Sequence, residues 1–136
     1  MNKFKNLFEK ATRSDGTTYH RVVEGNQNSE ACYEIVRHLN DDSIEDIGYE
    51  IAYRAAAFLE DADPKDFDTE GNYTGDMPEL ASVWTFERLS YLNNDNQRDI
   101  SDILKEYGCE DIATAAAIWY NQQVAEAINL LTEKIK

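Results

Sequence analysis

The sequence predicts a mainly α fold: one compact single-domain helical bundle of about five helices, with a small N-terminal β-hairpin as the competing reading of its first segment. Three observations carry this. Apolar residues recur at three- and four-residue spacing along most of the chain. Only one run is rich in Thr, Tyr and Val. A length of 136 residues with two Pro and six Gly leaves room for one domain and no low-complexity linker. A hydrophobic fraction of 42% is modest, yet enough for a core with aromatic anchors.

Taken in order, Phe4, Leu7, Phe8 and Ala11 stand at helical spacing and predict a short helix over 3–11. Ser14-Asp15-Gly16 is a turn signal, and Thr17–Glu24 is the β-flavoured run, so a hairpin competes for the same segment. Ser29 reads as the cap of a helix whose stripe is Cys32, Ile35, Val36 and Leu39. Ser43, with Asp46 in capping-box position, opens the clearest periodicity in the chain: Ile44, Ile47, Ile51, Ala55, Phe58 and Leu59. Residues 60–75 form a polar loop. Asp76, Pro78 and Glu79 then predict a helix start, with Leu80, Val83, Trp84 and Tyr91 inward. A short helix over 98–107 stops at Gly108. The last helix runs from about Glu110 to Ile135, and its alanines at 113 and 115–117 permit close helix contact. The expected core includes Ile47, Ile51, Phe58, Trp84, Leu104, Trp119 and Ile128.

Charge is distributed unevenly. Residues 41–87 hold fourteen acids against Arg54 and Lys65, a net −12 out of −14 for the whole chain. Residues 1–40 carry +1 and residues 88–136 carry −3. Folding so acidic a segment compactly costs self-repulsion. Nucleic-acid binding requires Lys and Arg to neutralise phosphates, so the field has the wrong sign for direct contact with DNA or RNA. It also disfavours an anionic membrane surface. The expected partner is a basic protein surface. The N-terminus lacks an apolar signal core and no apolar run has transmembrane length, so the expected location is the cytoplasm. The expected oligomeric state is a monomer.

Motifs for chemistry are incomplete. Asp66, Asp68 and Glu70 occupy positions 1, 3 and 5 of a calcium-type loop, with Gly71 at position 6. Position 12, which requires a bidentate Glu, is Met77, and position 8 is Tyr73. No calcium site is expected. Cys32 and Cys109 fit no metal spacing and read as buried thiols. His38 follows Glu34 by four residues, without the second His that a zinc helix needs. Cys32 with His38 as nucleophile and base lacks any accompanying oxyanion donor. His20 has no readable partner. No phosphate-binding Gly motif or nucleophile elbow is present. The chain is therefore expected to be no enzyme, with no catalytic residue, cofactor or metal. Tyr49 and Tyr53 share a helix with Glu45 and Glu50, a mixture suited to meeting Arg and Lys. The plainer reading of these tyrosines is core edge.

The segment DMPELASVWTFERLSYL (76–92) has the cast of an acidic-capped helix. From about Asp41 to Ile135, the chain resembles in size, charge and helix order the small acidic counter-defence proteins of bacteriophages and mobile elements. These are the Ocr-type anti-restriction DNA mimics and several anti-CRISPR proteins. The near-neutral N-terminal third departs from the extreme mimics and favours one acidic face over a wholly acidic surface. The resemblance implies an inhibitor that occupies the basic DNA- or RNA-binding surface of a host defence complex. In charge, −14 equals roughly 24 Å of duplex, or about seven base pairs. Carboxylates at i, i+4 on a helix stand about 6 Å apart, close to the spacing of neighbouring phosphates. The partner-facing set expected is Asp41, Asp42, Glu45, Asp46, Glu50, Asp61, Asp63, Asp66, Asp68 and Glu70. Two alternatives stay open: a helical interaction protein, such as an antitoxin or phage accessory factor with incidental acidity, and a calcium-responsive or catalytic domain.

Overall fold

A computed structural model of the chain describes residues 3–39, 47–82 and 100–135. Its elements run β1 (Phe8–Thr12), β2 (Thr18–Val22), α1 (Ser29–Leu39), α2 (Ile47–Asp61), a 3-10 turn (Pro64–Asp66), α3 (Ile100–Tyr107) and α4 (Ile112–Lys134). The helical character matches the sequence, but the described residues contain four α-helices rather than five. Trp84, Ser43, Ile44 and most of the expected 76–92 helix lie outside them.

At the N-terminus the helix reading is corrected and the competing hairpin reading holds. No helix forms over 3–11; β1 and β2 pair as an antiparallel hairpin with Phe8 opposite Val22 and Lys10 opposite His20. Phe4 and Leu7 are buried as their spacing demands. They get there through turns, and Asn6, at φ +59, breaks any right-handed helix between them. A nine-residue helix is too short to stand without strong tertiary support, since isolated helices under about 12 residues are marginal. The turn at 13–17 forms as read: Gly16, at φ +90, permits it, and Asp15 Oδ1 accepts from the Thr17 amide at 2.9 Å and from its hydroxyl at 2.6 Å.

The stripe of α1 holds as predicted, with Cys32, Ile35, Val36 and Leu39 all buried. Ser29 does not act as its side-chain cap. Its hydroxyl donates to the Val23 carbonyl at 2.5 Å, tying the helix start to the end of the hairpin.

Helices α1, α2 and α4 pack against one another, and α3 packs on α4. Both α2 and α4, which pack together, bury small residues. Ala52, Ala55 and Ala56 of α2 and Ala115, Ala116 and Ala117 of α4 are all buried. Ile51, Leu59, Val124, Ile128 and Leu131 fill the space beside them, each fully excluded from solvent. Phe58, Leu104 and Trp119 are only partly buried and pack against this core from its edge.

Both ends of the α3–α4 connection are closed by recognisable signals. Gly108, at φ +65, follows α3, with its amide on the Lys105 carbonyl and the Cys109 amide on the Leu104 carbonyl. Asp111 caps α4, accepting from the Thr114 amide and hydroxyl at 2.8 Å each. Among the described residues, no helix is long and apolar enough to cross a membrane.

Candidate functional site

The acidic loop leaves the C-terminus of α2 and is built on local hydrogen bonds. Asp63 caps the 3-10 turn, accepting from the Lys65 amide at 3.0 Å, with Pro64 in the first position. Phe67 and Tyr73 form an isolated antiparallel bridge. Between them Asp68 closes a tight turn: Oδ1 accepts from the amides of Glu70 and Asn72 at 2.9 Å each, and Oδ2 from the Asn72 side chain at 3.2 Å. Gly71, at φ +89, supplies the left-handed residue that this turn needs. The Asp66 carbonyl accepts from the Thr74 amide and hydroxyl.

Aromatic rings fasten the loop to the body of the protein. Phe67 stacks on Phe4 at 6.1 Å between centroids, and Tyr73 sets an edge against Phe58 at 5.4 Å. The Tyr73 hydroxyl donates to the Asp76 carbonyl at 2.6 Å. A Cβ at position 75 would stand 2.6 Å from that hydroxyl oxygen, so this approach requires glycine. Burial, then the charges of Asp66 and Asp76, push the Tyr73 phenol above its ordinary pKa.

The segment 76–82 is a second correction. It contains no helix, and the Leu80 side chain expected inward is exposed. Asn121, midway along α4, instead bonds the backbone of this segment. Its Oδ1 accepts from the amides of Leu80 and Ala81 at 2.9 and 3.3 Å, and its Nδ2 donates to the Ala81 carbonyl at 2.7 Å. Three of its four hydrogen-bonding positions are thereby used on one short stretch of chain. An amide side chain satisfies these backbone groups as a helical turn would have done.

From Glu60 to Glu79 the chain carries eight acids and one base. Among the described residues, no Lys or Arg forms an ion pair with Asp61, Asp66, Glu70, Asp76 or Glu79. Lys65 approaches Asp63 at 3.9 Å, where both are exposed and the gain is small. Lys3 stands over the Phe4 ring at 5.7 Å and beside Gly71.

The expected partner-facing set is thus divided. Asp61 ends α2 and Asp63, Asp66, Asp68 and Glu70 follow in this loop, but Asp68 turns its oxygens onto the loop's own amides. Glu50 sits in the first turn of α2, half-buried, about 16 Å along the helix from Asp61. Its charge acts on His20. Asp41, Asp42, Glu45 and Asp46 lie outside the described residues. Among the described residues, no group of three His, Cys, Asp or Glu could hold a metal ion.

The remaining titratable groups have structural surroundings. His20 stacks on Tyr53 at 3.5 Å and 7°, the partner that the sequence left unread. Burial, then the charges of Arg54 and Lys10, lowers its pKa, against an opposing pull from Glu50. Tyr53 also sets an edge on Phe8, and Tyr49 packs against the core, so both are core-edge rings. His38 meets Glu126 of α4 at 2.8 Å, and Lys134 meets Glu34 at 3.2 Å, both on the exposed α1–α4 seam. The Cys32 thiol is buried, which pushes its pKa up to about 11 and keeps it unreactive at neutral pH.

Sequence reasoning missed Asn121 and the turn-closing role of Asp68. For Asn121 a signal existed: an amide in the middle of an apolar helix demands partners. For Asp68 the signal was the following Gly71, since an Asp ahead of a left-handed residue bonds the backbone two residues on. No protein-family model, curated protein or solved structure matches the chain.

Proposed function

We propose that this protein is a non-enzymatic acidic inhibitor that lays its 60–79 face on the basic nucleic-acid-binding surface of a host defence complex, such as a nuclease, and blocks it. The observation that carries the reading is the pairing of a scaffolded loop with carboxylates, Asp61, Asp66 and Glu70, that form no ion pair with a Lys or Arg among the described residues. Asp61, Asp66 and Glu70 stand beside a backbone fixed by Asp63, Asp68, Thr74 and Tyr73. Carboxylates held in place before binding lose little freedom when a partner arrives. A net charge of −14 attracts a basic partner over a Debye length and speeds encounter, an effect that salt suppresses.

The test is immobilised protein exposed to lysate from cells carrying restriction and CRISPR systems, washed at low and at high salt, with captured proteins identified by mass spectrometry. The expected result is a nucleic-acid-binding complex that elutes with salt and whose nuclease activity the protein inhibits. A variant with Asp61→Asn, Asp63→Asn, Asp66→Asn and Glu70→Gln should capture it weakly, because four negative charges are gone while the Asx turn at 63 survives. Unchanged affinity and salt slope in that variant would leave the acids as a solvated surface and end the proposal.

A further inference from the structure

Charge brings partners together, but the affinity of an interface comes mainly from a few desolvated apolar anchors inside a polar rim. Among the described residues, the exposed large hydrophobics are Met77, 40% exposed, and Leu80, 45% exposed. Both lie within the acidic strip, next to Asp76 and Glu79. Their backbone is held at both ends of the segment: the Tyr73 hydroxyl bonds the Asp76 carbonyl, and Asn121 bonds Leu80 and Ala81. A pair of apolar side chains on a segment fastened in this way is presented rather than merely left over.

The geometry points to Met77 and Leu80 as the apolar anchors of an interaction surface, rimmed by Asp76 and Glu79, for a basic protein surface with an apolar recess between its cations. The occupant follows from complementarity of charge. A partner that offers apolar groups alone leaves the rim carboxylates facing low dielectric, which is costly, and an anionic lipid surface is repelled. A partner carrying Lys or Arg around the recess matches both features. This inference rests on the acidic-face reading and assigns it a contact point outside the 61–70 acids.

Two synthetic helical peptides of equal length and charge separate the effects: one of Lys and Leu in amphipathic order, the other with Ser in place of Leu. Binding is measured by calorimetry over a range of salt. The wild-type protein is expected to bind the Lys/Leu peptide about tenfold or more tightly than the Lys/Ser peptide. Met77→Ser with Leu80→Ser should abolish that preference and leave affinity for the Lys/Ser peptide and its salt dependence unchanged. Retention of the preference in the double variant overturns the inference and leaves the acidic face standing. Sedimentation that shows wild-type dimers and a monomeric double variant also overturns it, since the pair would then be covered by a second copy. Absence of any salt-sensitive binding to the Lys/Ser peptide sinks the acidic-face reading, and this inference with it.

Discussion

The α2–α4 contact and the loop that follows α2 meet at Asp61, yet they are held by opposite means. In the first, both helices bury alanines, and Ile51, Leu59 and Ile128 are shut from water. Its stability is apolar burial and packing. In the second, aromatic rings anchor the underside, while the course of the chain is set by side chains bonding backbone: Asp63, Asp68, Thr74, Tyr73 and Asn121. The first region can hide its chemistry, because its groups are content among themselves. The second spends part of its polar inventory on holding its own shape and leaves Asp61 and Glu70 exposed, with Asp66 half-buried beside Gly75. One segment of chain therefore supplies the stability and the next supplies the surface, and substitutions should sort accordingly.

The largest effect belongs in the α2–α4 contact. Ile51 is fully buried between α2 and its neighbours. Ile51→Ala should cost about 2–5 kcal/mol, measured as the change in unfolding free energy by urea titration. A loss below about 1 kcal/mol would mean that the site collapses around the missing atoms and that the packing is looser than its burial implies.

Next comes the polar scaffold of the loop. Asp68→Ala removes acceptors from three donors and should cost roughly 1 kcal/mol, since exposed hydrogen bonds have a modest net worth. Its clearer signature is local: protease cleavage within 60–75 should accelerate well beyond the change in global stability. Asp68→Asn, which keeps an acceptor for the two amides, should restore most of the protection. Equal cleavage rates in Asp68→Ala and wild type would show that the aromatic anchors alone fix the loop.

These contrasts also mark what a sequence can reveal. The α1 and α2 stripes, Gly108 and the small-residue face of α4 were legible because local spacing alone imposes them. The choice between helix and hairpin over 3–11 was not. It depends on Lys10 and Ala11 finding His20 and Tyr19 across the turn, a pairing that periodicity at Phe4 and Leu7 does not encode. The Asp76 start failed for a similar reason. Asp76, Pro78 and Glu79 make a valid capping pattern, but the amides of Leu80 and Ala81 take the Asn121 side chain, forty residues away in sequence. The acidity of the loop was plain, whereas its division into structural Asp68, half-buried Asp66 and exposed Asp61 and Glu70 required backbone geometry.

A smaller effect separates charge that stabilises from charge that does not. Hydrogen bonds from the Thr114 amide, then its hydroxyl, hold the Asp111 carboxyl below its ordinary value of 3.8. A pKa lower in the folded than in the unfolded chain means that the unfolded state binds the proton more tightly. The contribution is therefore complete above the unfolded value and is lost as pH falls through the folded one. Asp111→Asn keeps a capping acceptor but cannot titrate. Urea midpoints measured from about pH 5 down to about pH 2 should fall less steeply in this variant. Some slope should survive, because Asp15 is lowered in the same way by Thr17. Identical slopes in variant and wild type would remove Asp111 from the acid limb.

The smallest expected effect on stability comes from the most highly charged part of the molecule. Asp61→Asn, Asp63→Asn, Asp66→Asn and Glu70→Gln together remove four like charges from ten residues of chain. Among the described residues, only Asp63 of these four forms an ion pair with a Lys or Arg, the exposed Lys65. Its backbone role passes to Asn, which also accepts from the amide two residues on. Repulsion within the strip is relieved, and each replacement keeps the size of the side chain, Asp66 being the one that is half-buried, so stability should stay within about 0.5 kcal/mol of wild type or rise slightly. The comparison is made at low and high salt. A small gain at low salt should shrink as the Debye length shortens, because screening already relieves the wild type. A loss of more than about 1 kcal/mol would reverse the comparison. These carboxylates would then belong to the scaffold, as Asp68 does, and the loop would be a structural device before it is a surface.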